Sequence, residues 1–253
     1  MADAGLPPDD WQRALLADDS RQTLLLCARQ TGKSTGTAFT AIREALLKAG
    51  RTVLIISPSL RQSGEMLRKV LDGLNALGRP VGVTAESATK LELANRSRVL
   101  SLPGTEVTVR GFSADLLVVD EAARVPDALL AGIRPMLAAT GGRFVALSSA
   151  WSRSGWYYEA FVNGGAAWTR FSVTASACPR ISKEFLAQER KLLGERWYRM
   201  EYENVWGDDV AAVFSSTDIR AAMSDTVTPL FGPPAPTVGT PAATSGDVKP
   251  LFV

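Results

Sequence analysis

One short segment of the chain has the residues of a phosphate-binding loop. Residues 27–34 read Cys-Ala-Arg-Gln-Thr-Gly-Lys-Ser and fit the frame Gly-x-x-x-x-Gly-Lys-Ser/Thr, except that Cys27 replaces the first glycine. In such a loop, backbone N–H groups and a helix N-terminus hold phosphate oxygens. Lys33 would reach the β- and γ-phosphates of a nucleotide, and Ser34 would ligate Mg²⁺. The phosphate-binding residues predicted here are Gln30, Thr31, Gly32, Lys33, Ser34 and Thr35.

A second cluster places two acids directly after an apolar run. Residues 116–121 read Leu-Leu-Val-Val-Asp-Glu, which is typical of a buried strand that ends at the carboxyl edge of a parallel sheet. Asp120 would organise Mg²⁺, and Glu121 would act as the general base on the attacking water. Because the chain contains no histidine, Glu121 is the natural candidate for that role. The two clusters, in this order, favour a nucleoside-triphosphate hydrolase.

Each cluster also has a plainer interpretation. The first could be a strand-turn-helix junction with an incidental Gly-Lys-Ser, and the second could be two acids that open a loop. A third segment, Ser148-Ser149-Ala150, ends another apolar run. Its hydroxyl groups could sense the γ-phosphate and couple hydrolysis to movement, or it could simply be a strand end made of small residues.

Hydrophobic periodicity predicts the elements that position these clusters. Apolar runs of strand length alternate with patterns of helical period, which predicts a parallel α/β sheet with helices on both faces. Residues 81–110 instead predict short, partly antiparallel strands. The predicted strands are 22–28, 52–57, 90–94, 98–102, 106–110, 116–119, 144–148 and 168–174; the predicted helices are 9–17, 33–49, 60–77, 126–139, 155–162 and 182–202, the last broken near Gly194.

Composition excludes several classes of protein. No apolar run approaches the roughly 18 residues that a membrane span needs, and the acidic N-terminus lacks a secretion signal. Cys27 and Cys178 show no metal-binding spacing. The net charge of +2 does not by itself require a nucleic-acid partner. We therefore expect a cytoplasmic protein without a membrane partner.

Composition separates the end of the chain from the residues that precede it. Six of the 14 prolines lie at or after Pro229, so residues 229–253 are predicted to be a flexible tail.

Taken together, these features resemble the ATPase domain of the large terminase subunit, the DNA-packaging motor of tailed phages. The resemblance covers about residues 6–216 and implies a P-loop NTPase of the ASCE or RecA-like class, with a central, mainly parallel sheet and small antiparallel additions. It also implies an ATPase domain over residues 1–210, with a helical lid region from about residue 180, and a linker over residues 211–228 that would lead to a nuclease domain. The matching segments are Asp10-Trp11-Gln12 (adenine contact), residues 29–34 (the family's variant Walker A), residues 110–115 running into residues 120–123 (Walker B region) and residues 148–150 (coupling motif).

The resemblance also implies roles for single residues. Gln12 would read the adenine edge, which is the only basis for preferring ATP to GTP. Arg29 would lie near the phosphates. Arg110 matches the position of an arginine finger, which a subunit could donate to its neighbour, although a solvated cation at a strand end is the plainer interpretation. Arg124 and Arg134 compete for the finger role.

At the level of function, the resemblance implies Mg²⁺-dependent ATP hydrolysis that drives double-stranded DNA into a prohead. The implied partners are DNA, the portal protein, the small terminase subunit and further copies of the chain in a ring. The implied location is the bacterial cytoplasm and, transiently, the portal; a prophage origin is left open. Val213-Phe214-Ser215-Ser216 resembles the approach to a nuclease domain, but too few residues follow to form one. We expect no DNA cleavage by this chain, and a nuclease acting in trans stays open.

Two alternatives remain at this point. The chain could be an ATP-binding assembly module of a truncated terminase, without productive turnover. It could also be a helicase-like, nucleic-acid-dependent ATPase, although no second motor domain with its own arginine motifs is recognised.

Overall fold

The computed structural model describes residues 1–104, 111–208 and 222. Within them, eight strands and six α-helices form, joined by short 3-10 turns. The strands are β1 (Gln22–Cys27), β2 (Thr52–Ser57), β3 (Val83–Glu86), β4 (Lys90–Leu93), β5 (Arg98–Pro103), β6 (Leu116–Asp120), β7 (Arg143–Ser148) and β8 (Thr169–Val173). The helices are α1 (Asp10–Ala17), α2 (Lys33–Leu47), α3 (Leu60–Ala76), α4 (Asp127–Ile133), α5 (Trp156–Val162) and α6 (Lys183–Tyr202).

All eight strands belong to one sheet, in the order β3-β4-β5-β2-β6-β7-β1-β8. Six neighbouring strands, β5-β2-β6-β7-β1-β8, pair in parallel. Strand β4 is antiparallel to both β5 and β3. The expected fold is thus confirmed: a mainly parallel sheet with a small antiparallel addition at one edge.

The sheet has two buried faces because its central strands are apolar at nearly every position. Alternate residues of one strand point to opposite faces. Leu25, Ile55 and Val118 therefore pack on one side, in a cluster that includes residues of α2 and α3. Leu24 and Leu54 pack on the other side, in a cluster that includes residues of α4 and α5.

The strand order brings the three sequence clusters together at the end of the sheet where the parallel strands finish. Strand β7 lies between β1 and β6, with Leu26 paired to Ser148 and Asp120 paired to Leu147. Because the three strands are parallel, their carboxyl ends lie side by side. The segment after β7 consequently lies between the glycine-containing loop and the two acids.

Several predicted elements differ from the observed ones. The predicted helix 126–139 ends at Ile133 and continues as a 3-10 turn, Arg134–Leu137, because Pro135 has no N–H to donate to an α-helical bond. The break in α6 is confirmed: Gly194 has φ 74° and ψ 161°. The predicted strand 106–110 lies outside the described residues. So do the linker and the tail, apart from residue 222.

Within the described part of the chain, no helix is both long enough and apolar enough to cross a membrane.

The central strands should supply most of the stability. Leu54 is completely buried, whereas Leu192 on α6 is 79% exposed. We expect Leu54→Ala to lower the free energy of unfolding by about 2–5 kcal/mol, because it leaves a cavity in a packed core. The control Leu192→Ala should change it by no more than about 0.5 kcal/mol. Urea denaturation checks both; similar losses would contradict the assignment of β2 to the core.

Candidate active site

The loop between β1 and α2 is held in a conformation that only glycine suits at its last position. Gly32 has φ 92° and directly precedes Lys33, the first residue of α2. A Cβ atom at Gly32 would lie 2.8 Å from Nε2 of Gln12, so the close approach also excludes a side chain there. The N-terminus of this 15-residue helix therefore opens onto the loop, with its positive dipole end available to an anion.

Gln12 supports this loop from α1. Its side chain is buried, and its Nε2 donates to the carbonyl of Gly32 at 3.1 Å while its Oε1 accepts from the N–H of Asp9 at 3.0 Å. Arg180 adds a second link, because it donates to both carboxylate oxygens of Asp9 and to the carbonyl of Thr31. Both ends of the Gln12 amide are thus bonded within the chain, and its expected contact with adenine stays a prediction.

The two acids at the end of β6 have different environments. Asp120 is buried, and burial together with the neighbouring Glu121 carboxylate raises its pKa to about 6. Glu121 adopts a left-handed conformation, with φ 51° and ψ 40°, which costs a non-glycine residue about 1–3 kcal/mol. That turn directs the Glu121 side chain towards the loop, where its Oε1 lies 4.0 Å from Nζ of Lys33. The two motifs therefore meet in one cleft.

Two cavities flank the point where Lys33 and Glu121 approach each other. The first, of about 520 Å³, lies against α3, and the second, of about 390 Å³, lies against the loop. Ser34, Lys69 and Glu121 line both. The first is also lined by Ser59, Arg61, Gln62, Glu65, Met66 and Asp120; the second is also lined by Arg29, Gln30, Gly32, Lys33, Thr35, Ser149 and Arg180.

The oxygen atoms in the first cavity suit Mg²⁺. Ser34 and Asp120, whose side chains carry a hydroxyl and a carboxylate, both line it. Mg²⁺ prefers oxygen ligands and usually takes few from the protein, because waters and substrate phosphates complete its shell. No cluster of three or more His, Cys, Asp or Glu residues occurs among the residues that the structure describes, so the fit of the ion rests on Ser34 and Asp120.

The coupling segment lies beside this cleft. Ser148, the last residue of β7, and Ala150 are fully buried, and Ser149 lines the second cavity. Among the residues that the structure describes, the buried hydroxyl of Ser148 has no hydrogen-bond partner, which is costly for a polar group. The geometry is compatible with a sensing role, which remains a prediction.

The candidate arginines are in very different places. Arg29 donates to both carboxylate oxygens of Glu201, at 2.8 and 3.1 Å. Arg124 donates to Glu121 at 2.5 Å. Arg134 bonds to Gln22, the first residue of β1, so it lies at the opposite edge of the sheet and does not reach this cleft. Arg110 lies outside the described residues.

Three residues of the site had no signal in the sequence. Lys69 and Arg180 belong to no motif, and Glu201 is one of many charged residues in α6. Burial acts to raise the pKa of Glu201, but the hydrogen bond and charge of Arg29, and the charge of Arg124, outweigh it and lower that pKa. Only the fold brings these residues to the cleft.

The bonds of Gln12 predict a structural effect that needs no ligand. Gln12→Ala should lower the free energy of unfolding by about 1–3 kcal/mol, because the buried amide is lost and its partners are left unpaired. Gln188→Ala, an exposed glutamine on α6, is the matched control and should change it by less than about 0.5 kcal/mol. Urea denaturation without nucleotide measures both; equal, small effects would show that Gln12 does not support the loop.

The sequence is similar to known proteins over the part of the chain that forms this cleft. The profile of the family described as RNA cytidine acetyltransferase NAT10/TcmA, helicase domain, matches residues 24–148. The terminase large subunit of Thermus phage G20c is 23% identical over 180 residues, which cover 63% of this chain and 37% of that protein. The chain thus spans little more than a third of that relative.

Solved structures match a larger part of the chain. The large terminase ATPase domain of Thermus phage P74-26 superposes with a TM-score of 0.73 and 19% identity, covering 81% of this chain and 96% of that domain. The large terminase of a thermophilic bacteriophage, in complex with ADP, gives a TM-score of 0.68 and 11% identity, covering 79% of this chain and 54% of that one. In fold and in sequence, the chain is therefore similar to the ATPase domain of the phage terminase large subunit.

Proposed function

We propose that this chain is a Mg²⁺-dependent ATPase that drives double-stranded DNA into a viral prohead. The observation that carries the hydrolytic part is the approach of Lys33 and Glu121 to 4.0 Å within one cleft, with Ser34 and Asp120 in the same cavity wall as Glu121. The packaging part is supported by similarity to terminase large subunits.

In this proposal, the loop and the start of α2 bind the triphosphate. Backbone N–H groups of the loop and the dipole of α2 attract the phosphate oxygens. Lys33 adds a full positive charge where the β- and γ-phosphates would lie. Ser34 and Asp120 would hold Mg²⁺, which would supply further positive charge to the phosphates when bound.

Glu121 then activates water. Its carboxylate accepts a proton as the water oxygen forms a bond to the γ-phosphorus, and the bond from that phosphorus to the bridging β–γ oxygen breaks. ADP keeps the electron pair of the broken bond, and inorganic phosphate leaves. The strained left-handed backbone of Glu121 suits this role, since such strain is concentrated at functional sites.

The remaining parts of the proposal concern the assembly. Ser148, Ser149 and Ala150 would pass the loss of the γ-phosphate to moving parts, because they lie between the loop and the two acids. Arg110 of a neighbouring copy would complete the site in a ring that contacts DNA, the portal protein and the small terminase subunit. Similarity to terminase large subunits is the support for these partners.

A helicase-like ATPase is supported by less of the chain. The helicase-domain profile matches residues 24–148, which run from β1 to β7 and hold the two nucleotide motifs. The similarity to the terminase ATPase domain covers 81% of this chain. The larger coverage favours the packaging ATPase.

Two substitutions test the assignment of the cleft. Lys33→Ala should weaken ATP binding about tenfold to a hundredfold, because a charged hydrogen bond to phosphate is lost. Glu121→Gln should leave ATP binding nearly unchanged and lower kcat by about 10²–10⁴, because the general base is lost. Phosphate release with Mg²⁺-ATP and equilibrium binding of ATP separate the two effects.

The parent chain decides between turnover and binding alone. Phosphate release by the parent, stimulated by double-stranded DNA, would support the packaging ATPase. ATP binding without turnover, at high protein concentration and with DNA present, would overturn it and favour the ATP-binding assembly module.

Lys69 should contribute to the binding of the terminal phosphate. It lines both cavities and makes no ion pair among the described residues, whereas the adjacent Arg68 pairs with Glu65. We expect Lys69→Ala to weaken ATP binding up to about fivefold, as for an exposed ion pair, and to weaken ADP binding less. Arg68→Ala is the control and should change neither; equal losses for ATP and ADP would contradict a contact with the γ-phosphate.

A further inference from the structure

A buried carboxylate on α6 joins two arginines of the site. Glu201 is 8% exposed, accepts two hydrogen bonds from Arg29, and lies with its Oε1 3.7 Å from Nη2 of Arg124. A buried carboxylate needs partners of opposite charge. Glu201 therefore ties α6 both to the phosphate-binding loop and to the turn after β6.

The guanidinium of Arg124 lies between two carboxylates. Its Nη1 donates to Oε2 of Glu121 at 2.5 Å, whereas its Nη2 is 3.7 Å from Glu201. The guanidinium also lies over the ring of Trp151, 4.3 Å from the centroid. In this arrangement Arg124 bonds closely to Glu121 and is within a short movement of Glu201.

The bond to Arg124 conflicts with the proposed role of Glu121. A general base needs a free oxygen directed at the water. Here one oxygen of Glu121 accepts a hydrogen bond from Arg124, and the other lies 4.0 Å from Nζ of Lys33. Both oxygens thus face cations of the protein itself.

From this geometry, and resting on the proposed ATPase function, we infer that Arg124 holds Glu121 in a resting arrangement. When Glu121 acts as the base, Arg124 leaves it and pairs with Glu201, which is therefore a positioning residue. The fork of N–H donors on a guanidinium suits an exchange between two carboxylates. Contact with Trp151 would keep the plane of the guanidinium in place during the exchange. Arg124 is then not the arginine that contacts the phosphates.

The kinetic test uses the full chain and a rescue. Glu201→Gln should lower kcat for phosphate release about tenfold with little change in the affinity for ATP, because Arg124 stays on Glu121. Adding Arg124→Gln to that variant should restore turnover to within about threefold of the parent. Glu195→Gln, an exposed glutamate on the same helix, is the matched control and should behave as the parent does.

Two kinetic outcomes would overturn the inference. If Arg124→Gln alone abolishes turnover while ATP still binds, Arg124 acts directly on the phosphates. If the double variant is as slow as Glu201→Gln, Glu201 acts through Arg29 instead.

A second measurement does not depend on turnover, so failure of the proposed ATPase activity can be told apart from failure of this inference. A double-mutant cycle with Glu121→Gln and Arg124→Gln measures how strongly the two side chains stabilise each other. Expressed as a change in the unfolding equilibrium constant, this coupling should be about two- to fivefold for a partly exposed pair. In the Glu201→Gln background this factor should increase, because no second carboxylate competes for Arg124. An unchanged or smaller factor would overturn the exchange.

Discussion

The site depends on the parallel pairing of three strands in a fixed order. With β7 between β1 and β6, the phosphate-binding loop and the two acids are separated by the width of one strand, and Ser148 ends the strand between them. A reversal of any one strand would place its end at the far edge. The apolar side chains of β1, β2, β6 and β7 favour this parallel sheet, because strands that are buried on both faces are covered by helices above and below.

The carboxyl ends of these strands carry three residues whose environment or conformation costs free energy. Asp120 is buried with a raised pKa, Glu121 has a left-handed backbone, and the buried hydroxyl of Ser148 has no partner within the described part of the chain. Each would be relieved by a small local rearrangement. The buried residues of both sheet faces oppose such a change, so the core maintains the conformation that the proposed chemistry requires.

Local spacing in the sequence was enough to predict every described strand except β3, because each of these strands is specified by neighbouring residues; the short strand β3 (Val83–Glu86) has no such pattern. Contacts between distant residues were not predictable in this way. Glu201 meets Arg29 across 172 positions of the chain. The bonds of Gln12 to Asp9 and Gly32 were likewise not predictable, and its contact with adenine stays a prediction. Arg134 bonds to Gln22 at the start of β1, so it lies far from the cleft of its own chain; a role as the arginine finger of a neighbouring copy stays a prediction.

The substitution of cysteine for the first glycine of the loop has a practical consequence. Cys27 and Cys178 are the two cysteines of the chain, and both are buried; burial raises the pKa of Cys27 to about 12. A thiolate-directed reagent therefore finds no reactive thiol on the folded surface. Labelling of the natural chain would report the exposure of Cys27 at the end of β1 or of Cys178, and a single cysteine introduced at the surface would take a fluorophore without removal of the native pair.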